Sequence, residues 1–151
     1  MHIDFSCLTF DELTTEQLYQ LMALRQEVFV VEQDCPYLDA DGKDQASWHV
    51  LGYDVQQKLV AYARLLPKGI SYESYASIGR VVNAASVRGE GVGRLLMQQS
   101  LTYLQSLCPG EAVKISAQVY LIKFYESFGF RINGPEYLED DIPHIAMIRP
   151  A

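Results

Sequence analysis

Val81-Val82-Asn83-Ala84-Ala85-Ser86-Val87-Arg88-Gly89-Glu90-Gly91-Val92-Gly93-Arg94-Leu95-Leu96 reads as a strand, a run of small residues and then the first turn of a helix. Glycines at 89, 91 and 93 leave main-chain N–H groups uncovered where that helix begins. The first turn of a helix carries unpaired donors at the positive end of its dipole, which suits a diphosphate. Arg88 and Arg94 add positive charge, and Glu90 and Val92 complete the loop between them. On spacing alone, a glycine turn that merely starts a helix satisfies the same pattern. Two other phosphate loops fail. A dinucleotide fingerprint needs a third glycine where Arg94 stands and belongs in the first strand-helix unit. A Walker loop needs Gly-Lys-Ser/Thr, which the chain lacks.

Outward from this segment the elements fall into order. Ile3 to Leu8 predicts a first strand. Thr14 followed by Gln17 is a capping-box start for a helix to about Val30, with Leu18, Leu21, Met22, Val28 and Phe29 on its apolar face. Residues 32–47, acidic and interrupted by Pro36 and Gly42, read as a long irregular loop, often functional in a compact domain. Trp48 to Tyr53 and Leu59 to Leu66 predict an antiparallel hairpin, and Ser77 to Val82 a further strand. The helix opened by the glycine turn ends near Cys108-Pro109-Gly110. A strand over Val113 to Ala117, a short helix over Leu121 to Phe128, and strands at Phe130 to Ile132 and His144 to Ile148 finish the chain. Hairpin strands first and a strand-helix-strand unit after Ser77 predict an α+β (mixed α/β) fold, its mostly antiparallel central sheet carrying one right-handed parallel crossover and flanked by helices.

The length of 151 residues predicts one domain, 1–151. Apolar residues at 49% and charged residues at 21% supply a core and argue against disorder. No apolar run reaches the roughly 20 residues a membrane span needs, and the start lacks a leader pattern, so neither a membrane nor secretion is expected. Three cysteines without a C-x-x-C spacing suggest no disulfide framework and no metal; a cytoplasmic setting fits. Twelve basic against nineteen acidic residues give a net charge of -7, which disfavours nucleic acid. The acids cluster in residues 27–44 and again at Glu136, Glu139, Asp140 and Asp141.

Arg88-x-x-Gly91-x-Gly93 between a strand and a helix resembles the acyl-coenzyme A signature of the GNAT N-acetyltransferases. Gln118, Phe124-Tyr125-Glu126-Ser127-Phe128-Gly129-Phe130 is similar to the same family's second half. Arg25-Gln26-Glu27-Val28-Phe29-Val30-Val31-Glu32-Gln33, Cys35-Pro36-Tyr37, Asp39-x-Asp41, His49-Val50-Leu51-Gly52, Ala61-Tyr62-Ala63-Arg64 and Ile142-Pro143-His144-Ile145 resemble its ElaA-like branch. Gln118 departs from the family, which often has Asn there.

The resemblance implies a sheet splayed between two strands, acetyl-coenzyme A as co-substrate, and acetyl transfer to a primary amine of a small molecule or peptide, in a monomer or homodimer. It implies main-chain binding of the pantetheine and thioester by Val81, Val82 and Asn83, and further coenzyme contacts from the 88–94 loop, Gln118 and Phe124. It makes Tyr125 the acid that protonates the departing thiolate. From helical spacing, Tyr125 reads instead as packing against Phe124, Phe128 and Phe130. Histidine is the side chain suited to proton exchange near neutrality, so His49 and His144 are candidate bases; the acidic loop offers Glu32 as another, and members of the family often deprotonate the amine through water. Glu32, Gln33, Tyr37, Asp39 and Asp41 are candidates for attracting a cationic amine, with a solvated charged loop as the competing reading. Two other functions stand beside this one: a Cys35 nucleophile served by a histidine, and a non-catalytic module of the same fold that binds coenzyme A or a protein partner.

Overall fold

The computed structural model describes residues 2–151. β1 (Asp4–Thr9), β2 (Trp48–Tyr53), β3 (Leu59–Leu66) and β4 (Ser77–Asn83) form an antiparallel sheet in that order. β5 (Val113–Gln118), β6 (Arg131–Ile132), β7 (Tyr137–Glu139) and β8 (Ile142–Arg149) form a second, with β8 pairing the other three. β3 is buried along its whole length because sheet and helices cover both its faces, and its run of Leu, Val, Ala and Tyr suits that position.

The two halves meet between β4 and β5. One parallel bridge, Ala76 to Val113, joins them, with Lys114 N–H donating to the Ala76 carbonyl at 2.9 Å. Past that point the strands diverge towards Asn83 and Gln118. The expected splay is present, and the parallel crossover is reduced to this one contact.

α1 (Thr15–Arg25) starts as its sequence predicts: Thr14 accepts from Gln17 N–H at 3.1 Å, and the Gln17 side chain accepts from Thr14 N–H at 2.9 Å. Periodicity predicts one helix to Val30, but the α-helix stops at Arg25 and Gln26–Glu32 continues as a wider π-helical turn. The extra residue per turn breaks the 3.6 period and carries Glu32 to the cleft described below. α2 (Val92–Leu107) packs Val92, Leu96, Met97 and Leu104 into the core, and α3 (Ile122–Glu126) is a little over one turn. The expected strand at Phe130 to Ile132 shrinks to β6, since Phe130 belongs to the core, and β7 is a strand the sequence reading missed.

Candidate functional site

The divergence of β4 from β5 opens a cleft of about 540 Å³. Its walls bring together Val81, Val82, Asn83, Arg88, Gly93, Gln118, Phe124 and Tyr125, so the two halves of the sequence signature lie in one site. Glu32, Gln33, Tyr37 and His144 line it as well.

The phosphate-loop geometry follows from two glycines. Gly91 caps α2 in the left-handed region at φ +77°, with no side-chain hydrogen bond to the helix end. The first-turn N–H groups of α2 are therefore left without a side-chain cap, and glycine adopts this φ without the steric cost of a Cβ. A Cβ at Gly93 would come within 3.0 Å of Asn83 Nδ2, so a side chain there would push against β4. Gly89 and Glu90 form the exposed outer loop, while the Val92 side chain is in the core. This start of α2 could hold a diphosphate: it is open, offers main-chain donors, and is flanked by the Arg88 guanidinium. Arg94 stands outside the cleft lining. Its Nη2 donates to Ser127 Oγ at 3.0 Å and its guanidinium lies 4.8 Å from the Phe128 ring centre, tying α2 to the turn after α3.

Tyr125 packs as its helical spacing predicts and also reaches the cleft. Its ring packs edge-on against Phe124 at 5.3 Å and Phe130 at 5.9 Å, and the residue lines the cleft. Burial, followed by nearby Tyr120, pushes its hydroxyl up to about 12. The phenol therefore holds its proton across the neutral range, as a proton donor must.

The two histidines separate. His49 is fully buried and does not line the cleft. Its Nε2 lies 2.9 Å from the Asp44 carbonyl, which can only accept, so Nε2 carries a proton and Nδ1, 2.7 Å from Tyr62 Oη, accepts from that hydroxyl. Burial holds its pKa below the ordinary value. Both nitrogens are committed inside the protein, so His49 is a structural residue and the expectation of a base there is corrected. His144 sits on β8 opposite Gln118 of β5 and Tyr137 of β7, at the open end of the splay. Its Nδ1 donates to the Ile142 carbonyl at 2.7 Å, which leaves the lone pair on Nε2, 3.5 Å from Glu139 Oε2. Tyr137 stacks on the ring at 6.2 Å.

The acidic loop is corrected in part. Asp39 and Asp41 are not free to attract an amine. Asp39 is 3% exposed, with one oxygen 2.7 Å from Arg25 Nε and the other 2.8 Å from Arg80 Nε. Asp41 receives two hydrogen bonds from Arg64, both at 2.8 Å. Sequence reading placed these carboxylates with no partners in view, because their arginines lie far along the chain on α1, β3 and β4. Glu32 keeps its place in the cleft, where its carboxylate pairs with Arg88. Cys35 also lines the cleft, but burial pushes its thiol up, as do Asp140 and Asp141. A raised thiol is a poor nucleophile.

Site residues the sequence reading missed include Arg80, Ser116, Tyr120 and Glu139. Of these, Glu139 had a signal as part of the second acidic cluster, and Arg80 as the first of three arginines between residues 80 and 94. Among the described residues no group of His, Cys, Asp and Glu is placed to hold a metal, and no helix is long and apolar enough to cross a membrane.

Residues 10–149 match the family model described as an acetyltransferase (GNAT) domain. The chain is 44% identical over 149 residues to the ElaA protein of Escherichia coli, covering 97% of this chain and 96% of that one. It is 43% identical over 148 residues to a UPF0039 protein of Synechocystis, covering 98% and 96%. Among solved structures, Escherichia coli ElaA aligns with a TM-score of 0.91 at 43% identity, over 98% of this chain and 99% of that one. An acyl-CoA N-acyltransferase from Pseudomonas aeruginosa aligns with a TM-score of 0.90 at 41% identity, over 97% and 99%. With a divided sheet, an open helix end at its mouth and likeness along almost its whole length, the chain belongs to the GNAT acetyltransferase family, in its ElaA-like part.

Proposed function

We propose that residues 1–151 act as one cytoplasmic N-acetyltransferase domain, monomeric or homodimeric, that moves an acetyl group from acetyl-coenzyme A directly to a primary amine held in the same cleft. The observation that carries this reading is the uncapped start of α2 opening into the cleft that Tyr125 lines. Main-chain N–H groups of residues 89–94 and the Arg88 guanidinium hold the diphosphate. The free edge of β4 at Val81, Val82 and Asn83 pairs with the pantetheine, and its N–H groups polarise the thioester carbonyl. Gln118 and Phe124 close the opposite side.

A primary amine is protonated at neutral pH and must lose a proton before it attacks. His144 Nε2 has the free lone pair for this, and the Glu139 carboxylate steadies the imidazolium that forms. Glu32, Gln33 and Tyr37 line the acceptor end, whose acidic character favours a cationic amine. The acetyl carbon then gains the amine nitrogen and loses sulfur, and Tyr125 gives its proton to the leaving thiolate; the second proton, shed by the nitrogen as it becomes an amide, restores the Tyr125 phenol through water, and the imidazolium returns its own proton to solvent. The experiment is thiol release from acetyl-coenzyme A against a panel of polyamines, amino acids, aminoglycosides and peptides. Turnover of at least one amine that Tyr125→Phe abolishes supports the reading; coenzyme binding with no turnover on any amine defeats it.

A further inference from the structure

Behind the cleft wall Arg25 and Arg64 converge with Asp39, Asp41 and Asp44, and these meet Arg80, which lines the cleft. Arg25 is fully buried, and its Nη1 donates to Asp44 Oδ1 at 2.7 Å while its Nε holds Asp39 Oδ2 at 2.7 Å. Arg64, 3% exposed, joins Asp44 at 2.9 Å to Asp41 at 2.8 Å. Both aspartates of the loop then meet Arg80: Asp39 Oδ1 lies 2.8 Å from Nε as an ion pair not aligned for a hydrogen bond, the Asp39 carbonyl accepts from Nη2 at 3.1 Å, and Asp41 Oδ2 lies 3.4 Å away. Buried ion pairs contribute little net stability compared with apolar packing of the same volume. Such a network needs another explanation.

It terminates on a strained residue of the strand beside the cleft. Arg80 has φ +50°, a left-handed conformation that a side chain makes costly. It sits where the β3–β4 ladder slips: Arg64 pairs with Gly79 but Tyr62 pairs with Val82, so Arg80 and Val81 together face Ala63. The slip is a bulge, and a bulge re-aims the strand that carries it. Beyond it lie Val82 and Asn83, at the open end of the splay.

We propose that Arg80 is a positioning residue, gripped by Asp39 and Asp41 in the left-handed conformation that bulges β4, so that the main chain of Val81 and Val82 is aimed into the cleft; this rests on the placement of the thioester along β4 in the proposed function. Arg25 and Arg64 hold the two aspartates and act one contact further back. The motif residues Arg25, Asp39, Asp41 and Arg64 thereby acquire a common purpose, the shape of one strand.

The test uses Arg80→Gly, with Asp39→Asn as a second variant. Glycine takes φ +50° freely, so the turn itself is permitted and only the grip is lost. Amide hydrogen exchange at Val81, Val82 and Asn83 is measured in the coenzyme-free protein, alongside kcat, the acetyl-coenzyme A KM and the thermal midpoint. Exchange at these three amides is expected to quicken by about tenfold while the thermal midpoint stays above assay temperature. kcat is expected to fall by about tenfold or more with the coenzyme KM within about twofold, since displacement of a positioned group acts on the chemical step. Exchange that matches the parent in both variants overturns the inference, whatever happens to kcat. A parent protein that acetylates no amine defeats the proposed function instead, and the exchange measurement still decides the role of Arg80.

Discussion

Glu32 and Arg88 grip each other across the cleft, each carboxylate oxygen accepting from one terminal guanidinium nitrogen, with Nη2 to Oε2 at 2.9 Å and the same Nη2 3.2 Å from the Asn83 carbonyl. The Arg88 hydrogen bonds hold the Glu32 carboxyl below its ordinary pKa, so it is charged at neutral pH. A diphosphate entering the α2 cradle carries the same sign and competes for the same guanidinium. In Glu32→Gln that competition is gone, and the dissociation constant for coenzyme A is expected to fall by about two- to fivefold at low salt, with a smaller difference at high salt. Isothermal titration checks this; weaker binding by the variant would contradict it. In the proposed reaction the released Glu32 would face the ammonium of the acceptor, so the same substitution should raise the acceptor KM.

Tyr125→Phe removes the proposed proton donor and leaves the ring. Its edge-on packing with Phe124 and Phe130 needs no hydroxyl. The expected result is a thermal midpoint close to the parent's, unchanged coenzyme affinity, and a kcat lower by about 10²- to 10⁴-fold.

His144→Gln keeps a polar side chain on β8 but removes the lone pair. kcat/KM for the amine is expected to drop by about a hundredfold or more, and added imidazole should restore part of it. The matching change at His49 acts through stability alone: His49→Gln disrupts a buried set of hydrogen bonds at 2.7 and 2.9 Å, and the folded fraction should retain its turnover.

Gly91→Ala places a Cβ at φ +77°, where open space surrounds it but the backbone is unfavourable. Stability should fall by about 1–2 kcal/mol from the conformation alone, measured by urea unfolding. Coenzyme affinity should fall in parallel, because relaxation of the turn redirects the N–H groups of the cradle.

Stability on the acid side has two steps. Burial keeps the His49 pKa below the 6.5 of the unfolded chain, so its share of stability is complete above that pH and is lost as pH drops below it, where the unfolded state takes the proton first. Burial raises the carboxyls of Asp41 and Asp44, but hydrogen bonds from Arg64 to Asp41, and from Arg25 and Arg64 to Asp44, outweigh it and hold both below the usual range. Their contribution is present above about pH 4 and disappears as pH falls further. Urea midpoints from pH 8 to 3 should therefore be flat near neutrality, slope down below about 6.5 and drop more steeply below about 4. A curve that stays flat to pH 4 would show that His49 carries no such share.

Local chemistry made much of this legible. Thr14 and Gln17 announce the start of α1, Gly89, Gly91 and Gly93 announce the turn into α2, and two β-rich runs parted by a polar stretch announce the β2–β3 hairpin. Each depends on residues close together in the chain. What escaped depends on distant pairings. Arg25 shows no sign in the sequence of being buried, because its partners lie 14 and 19 residues on. Asp39 and Asp41 resemble a solvated loop until Arg64 and Arg80 arrive from the sheet. β7, three residues of Tyr-Leu-Glu, is too short for a period and exists because β8 offers it an edge. Tyr125 lies between these cases, since a helix-facing aromatic looks the same whether or not its hydroxyl reaches a substrate.

Among the described residues a single bridge, Ala76–Val113, joins the edges of the two sheets, like blades riveted at one end above a shared core. Beyond the rivet β4 and β5 share no ladder, and a ligand lying between the tips would stand in for the missing strand. Loading then adds cohesion as well as reactivity: with the gap filled, the blades should melt as one piece and at a higher temperature, and losing the spent carrier should loosen them for the next round.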